Sequence, residues 1–322
     1  MSNSAPPNLI ATVESYLCPS LPVASIAPTD LSLPSLHLIP SPTLTKLRNV
    51  GSARIKDMRA LGQSKQIISH IPIYATTQAC ANINDALYTA SRLNADKFTA
   101  LAILPSAMGQ GTEAARELQR CITKYKFAGG MVGLRRGEDS ILDDSFEELW
   151  SVADRFRTPI ALREMWPSGV EAATYQRNLP DTVLAPFLAL AHAAHSNSPL
   201  PFIHLYLAGV FDRYPSLRLI LCHPGALPSL IPRIETVLSS IPVADKPKHV
   251  QEMSSMRALL EQIPMDRLLY ASNYPFEENG KNLMHELRDS GFLSKDEYDM
   301  VAWGNAEVLF GWKTGGSKVI RK

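Results

Sequence analysis

FAGGMVGLRRGEDSILDDSFEELWSVADRFRTPIAL (127–162) decides the fold class. Ala128 to Leu134 is a short run of apolar residues and glycine, which reads as a buried strand. Ser145 to Arg155 carries its apolar residues at helical spacing, and Pro159 to Leu162 is again short and apolar. Strand, helix and strand at this spacing make one βαβ unit, whose two strands run parallel. The alternation continues outward on both sides. Upstream, Asn8 to Thr12, Gln66 to Tyr74 and Phe98 to Leu104 read as strands, with helices over Leu44 to Leu61, Asn84 to Ala95 and Gly111 to Lys124. The Asn84-Asp85 pair suits a first helical turn. Downstream, a helical stretch over residues 180–210 is broken near Pro199 and Pro201, and Leu217 to Cys222 and Arg267 to Ala271 are further strands. Ser294 and Glu297 form a capping box that opens the last clear helix. Seven or eight such units, with no GxGxxG or GxxxxGK phosphate turn, predict an α/β fold of the (β/α)8 barrel type. The short interval between Arg233 and Arg267 predicts distortion around strand seven.

The chain has 322 residues, of which 45% are apolar, enough to build a deep core. Residues 1–314 therefore read as a single barrel domain. Residues 19–42, with prolines at 19, 22, 28, 34, 40 and 42, read as an insertion that cannot form a long helix. Residues 315–322 read as a loose tail. Thirty-two Lys and Arg balance 31 Asp and Glu, which excludes a partner bound through phosphate contacts, such as nucleic acid. The four cysteines, Cys18, Cys80, Cys121 and Cys222, form no CxxC pair and read as free thiols of a reducing compartment. The first residues lack a basic signal region, and no apolar run reaches the roughly 18 residues of a membrane span. A cytoplasmic protein without membrane contact is expected.

A barrel places its chemistry just past the C-terminal ends of its strands. Strand one delivers Glu14, Ser15 and Tyr16 there; strand five delivers Arg163 and Glu164, with Trp166 beyond. His223 follows strand six, and Asn273, Tyr274 and Glu277 follow the last strand. A buried guanidinium is expensive unless paired. Arg163 must therefore face Glu14, Glu164 or Glu277, or else hold a substrate anion. Glu14 is the candidate carboxylate base, His223 the general acid or base, and Asn273 a donor to developing oxygen charge. Ser15, Tyr16, His70, Glu164, Trp166, Tyr274 and Glu277 are candidate substrate contacts. His192 and His195 share a helical face without an acidic neighbour and read as surface residues.

Several segments carry a family resemblance. PLPFIHLYLAGVFDRYPSLRLILCHPGALPSLIPRIE (199–235) resembles the signature of the amidohydrolase-related barrel decarboxylases, which act on aminocarboxymuconate semialdehyde, dihydroxybenzoates and γ-resorcylate. LLYASNYPFE (268–277) resembles their last-strand motif, IATVESY (10–16) their first strand and KFTALAILP (97–105) their third. The 127–162 stretch is similar to their fourth and fifth strands, and WGNAEVLFG (303–311) to their closing helix. The resemblance implies a divalent metal held by two residues of strand one, a His of strand five and an Asp of the last strand. It also implies that His223 orients substrate and moves protons. In this chain the four metal positions carry Val13, Ser15, Arg163 and Asn273, a set poor in the imidazoles and carboxylates such metals require. No metal and no cofactor are therefore expected. Relatives of this kind assemble as dimers or tetramers, so a homo-oligomer is expected too.

No G-x-S-x-G nucleophile and no redox-cofactor motif is present. The remaining chemistry is acid–base work on a small phenolic or β-keto acid. A metal-free decarboxylase-like lyase fits, with Arg163 as anion holder. A cyclase, dehydratase or isomerase of a phenolic or polyketide-like intermediate, and a catalytically inactive binding barrel, remain as alternatives.

Overall fold

The computed structural model describes residues 8–23, 30–134, 140–192, 199–222, 265–276 and 280–312, with 236, 240 and 242. His223, His195, Arg233, Glu277, the strand-seven interval and the 315–322 tail lie outside these residues. Six strands form one sheet in chain order: β1 Leu9–Tyr16, β2 Gln63–His70, β3 Phe98–Ile103, β4 Gly129–Leu134, β5 Pro159–Glu164 and β6 Arg218–Leu221. Every neighbouring pair is parallel. Helices α1 Ser41–Arg48 and α2 Ser52–Ala60 follow β1, α3 Thr77–Ser91 follows β2, α4 Gly111–Arg120 follows β3 and α5 Glu147–Phe156 follows β4. This succession is that of the expected (β/α) barrel.

The sheet is curled. Arg163 on β5 bonds Ser69 on β2 and Ser15 on β1, although β3 and β4 separate β5 from β2 in strand order. Only the interior of a curved sheet brings those strands together. Register then sorts the side chains. Ser15 and Ser69 stand beside one another, as do Gly133 and Arg163, and this set faces inward. Glu14, Ile68, Ala100, Gly130 and Ile160 belong to the opposite set. A Cβ on Gly130 would come within 3.0 Å of Leu118 on α4, which marks that side as the outer, helix-covered face. The core between sheet and helices holds Leu118, Phe146, Leu149 and Trp150, all fully or almost fully buried. Each such side chain contributes about 1.5–3 kcal/mol.

Several expected elements differ in detail. Leu44 to Leu61 is two helices, because the Asn49 side chain accepts the Gly51 N–H at 2.8 Å and turns the chain between them. The second strand begins at Gln63 and ends at His70, short of Pro72. Asn84 is no first-turn residue: α3 is capped by Thr76, which accepts the Ala79 N–H. The Asn84 amide instead exchanges two bonds with the backbone of Ile103 and donates to Glu117, tying α3 to β3. The Ser294–Glu297 capping box is formed as read.

The largest difference is the last strand. No regular strand forms over Arg267 to Ala271. The segment runs beside β1, with Thr12 N–H bonded to Tyr270 O at 2.9 Å and Ser15 N–H to Tyr274 O at 3.1 Å. Between these bonds β1 bulges, and Val13 takes a left-handed φ of 59°. A ladder cannot run through such a kink. Glu14 bridges the gap. Its Oε1 accepts the Ser272 N–H at 2.6 Å and the Ser272 hydroxyl at 3.0 Å, and its Oε2 accepts the Tyr274 N–H at 2.6 Å. Behind this seam the Gln63 amide donates to Ser272 Oγ, Gln66 donates to Gln63, and the fully buried Arg54 of α2 donates to Gln66 Oε1 and Ser15 O.

Glu14→Ala would leave three buried donors of Ser272 and Tyr274 without an acceptor, each costing roughly 1–3 kcal/mol. We expect urea denaturation to show a loss of about 3–5 kcal/mol. In native-state hydrogen exchange the Ser272 and Tyr274 amides should lose protection while β3 to β5 keep theirs. Unchanged protection at those two amides would refute the seam.

Candidate active site

The inward set assembles around Arg163. Its Nη1 donates to Ser69 Oγ and its Nη2 to Ser15 Oγ, both at 3.2 Å. These two neutral hydroxyls are its only hydrogen-bond partners among the described residues, and no described carboxylate lies within ion-pair distance of it. Burial holds its pKa below the usual arginine range, opposed by the attraction of Cys222 and Glu14. Cys222, at the end of β6, is half-buried, and burial pushes its thiol up to about 11 against the pull of Arg163. Met165 fills the space over Gly133, the cross-strand neighbour of Arg163, where a Cβ would meet its thioether at 2.6 Å. The guanidinium thus lies among hydroxyls, a thiol and a thioether. Among the described residues, no acceptor other than these two hydroxyls takes its N–H groups.

Asn273 sits on the rim, half-buried and left-handed at φ 57°, between two residues fixed to Glu14. Glu164 is half-buried at the end of β5. Trp166 stacks on Phe276 with ring centroids 5.4 Å apart and donates its backbone N–H to Pro72 O at 2.7 Å. Ser69 was not singled out from the sequence, although its register partner Ser15 was. The missing signal was the true end of β2, which moves the mouth position from His70 to its neighbour.

Four expected site residues are placed elsewhere. Glu14 is fully buried on the outer side of β1 and holds the seam, so it does not face the mouth as a base. Tyr16 and His70 stand beside one another on that same outer side, edge to face at 6.0 Å, and both are buried. Tyr274 is buried too, and its hydroxyl donates to Asp57 of α2 at 2.9 Å while the Arg54 guanidinium lies 4.7 Å from its ring. Glu14, Tyr16 and His70 share a cause. Side chains alternate along a strand, and these fall on the helix-facing phase. The roles expected of His223 and Glu277 concern residues outside those described.

The metal that the resemblance implies does not fit the residues present. The described inward positions offer serine hydroxyls and a guanidinium that itself carries positive charge. No three His, Cys, Asp or Glu side chains converge among the described residues.

His70 has a second consequence. Burial, with a smaller push from Arg163, lowers its pKa from 6.5 to about 4, opposed by its Nδ1 bond to Ile71 O. The folded chain therefore keeps it neutral, while the unfolded chain protonates it below pH 6.5. This stability is complete above pH 6.5 and is lost as pH falls towards 4, up to roughly 3 kcal/mol. Urea titrations of wild type and His70→Asn across that window should diverge by this amount; parallel curves would refute it.

No described helix is long and apolar enough to cross a membrane. Decarboxylase orsB of Emericella nidulans is 29% identical over 287 residues, covering 82% of this chain and 86% of that protein. Gamma-resorcylate decarboxylase of a Rhizobium species is 27% identical over 306 residues, covering 82% of this chain and 88% of that protein. A dihydroxybenzoic acid decarboxylase structure from a Polaromonas species, with bound manganese and 2-nitroresorcinol, superposes with a TM-score of 0.72 at 20% identity, over 96% of this chain and 98% of that one. That likeness, like a TM-score of 0.69 to an amidohydrolase from Staphylococcus aureus at 22% identity over 94% of this chain and 99% of that one, concerns the fold. Residues 57–312 match the family model described as amidohydrolase, and the chain belongs to that family.

Proposed function

We propose that this chain is a carbon–carbon lyase that decarboxylates a small phenolic or β-keto acid without a metal, Arg163 holding the oxygen on which charge collects. The observation that carries the reading is the inward guanidinium, whose hydrogen-bond partners among the described residues are the hydroxyls of Ser15 and Ser69. The decarboxylases among the relatives favour the reaction class.

The two substrate types converge chemically. Protonating the carboxylate-bearing carbon of a phenolate gives a dienone acid, which is itself a β-keto acid. The bond to the carboxylate then breaks, carbon dioxide leaves, and the electron pair moves to the ketone oxygen as phenolate or enolate. A fixed cation at that oxygen lowers the barrier because its charge matches the transition state better than the ground state. His223, following β6, is the proposed proton donor to carbon. Cys222, beside Arg163, stays a neutral thiol.

Protein dialysed against EDTA should keep its turnover of a phenolic-acid panel, with elemental analysis showing no bound metal. Arg163→Met should lower kcat about 10²–10³-fold, the scale of losing one donor to a developing oxyanion. Activity abolished by chelation and restored by manganese would overturn the proposal.

A further inference from the structure

Residues just beyond β5, β2 and the segment beside β1 meet one another. Arg163 is followed three residues later by Trp166, Ser69 by Pro72, and Asn273 by Phe276. The lower positions include the Arg163–Ser69 contact, and the upper ones include both the Trp166–Pro72 backbone bond and the Trp166–Phe276 stack. Trp166, past the end of β5, bonds the Pro72 carbonyl past the end of β2 and so forms a roof beyond Arg163 and its hydroxyls. The Trp166 Nε1–H is a buried donor without a partner among the described residues. A buried indole N–H ordinarily finds an acceptor, and leaving it unpaired is unfavourable.

We infer that the Trp166 indole N–H is a specificity-determining donor, bonding a second oxygen of the substrate whose first oxygen lies on Arg163. This rests on the anion-holding role proposed for Arg163. The two groups are both donors only. Between them they select a ring or short chain carrying two acceptor oxygens, and they disfavour a ligand that presents an N–H or ammonium group to the roof. The stacked Trp166–Phe276 pair gives that ligand a flat apolar wall.

Trp166→Phe removes the donor and keeps a ring. Its melting temperature should stay level or rise, because an unpaired polar group has been deleted. Its affinity for 2-hydroxybenzoate or acetoacetate, measured by calorimetry, should fall roughly 10- to 100-fold. In nitrogen-15 spectra of the wild type, the indole resonance missing from this variant should move downfield as the probe saturates. An unmoved resonance with unchanged affinity in the variant overturns the inference. If Arg163→Met alone abolishes binding, the anion-holding role stands and only the roof donor falls. If Arg163→Met binds as tightly as wild type, or wild type binds neither probe at millimolar concentration, that role falls and the inference with it.

Discussion

Two backbone N–H groups and a hydroxyl of the closing segment converge on one carboxylate, that of Glu14, where β1 can no longer present a regular ladder. A carboxylate is suited to the place. It offers several lone pairs at once, where a backbone carbonyl could serve one strand position. Burial raises its pKa, while the Ser272 and Tyr274 donors and the charge of Arg54 pull it down. Arg54 is held in turn by Gln66 and the Ser15 carbonyl. The residue whose side chain bonds Arg163 thus has its backbone fixed by the seam. Attachment of the last segment to β1 and placement of the inward hydroxyls are one structural problem.

The inner chemistry follows from what surrounds the guanidinium. A carboxylate partner would neutralise it and remove its attraction for a ligand. Serine hydroxyls orient it without neutralising it, at an energy well below that of an ion pair. Its field acts among buried groups, where screening is weaker than in water. Among the described residues, Arg163 is aimed by dipoles that leave its charge in place.

The fold was legible because short apolar runs and helical periodicity alternate along most of the chain, and the strand at 128–134 appears almost where it was read. In the 180–210 stretch, Asp181–Pro186 continues helically through Phe187–His192, and Leu200–Leu207 starts anew with Pro199 at its N-cap, where a break was expected. Arg163 and Ser15 were legible because each directly follows or ends an apolar run. Glu14, Tyr16 and His70 were misplaced because adjacent residues at a strand end differ in face, not in composition, and Tyr274 because it lies in a turn and not at a strand end. The seam itself had no sequence signal: Gln63, Gln66 and Ser272 are polar residues spread along the chain, and only closure of the sheet brings them together.

The bulge at Val13 settles which chemistry the interior receives. Below it, Ala11 lies on the outer face beside Gln66. Counting on by strict alternation, Ser15 would share that outer face and Glu14 would point inward, towards Arg163. One added residue of length reverses the order, turning the hydroxyl in and the carboxylate out. The character of this interior is thus written in chain length as well as in residue identity. Deleting one residue at 12–13 would exchange a ligand-ready cation for an internal ion pair and open the seam in the same stroke. A scan of substitutions would not reveal that dependence, whereas a single-codon deletion would.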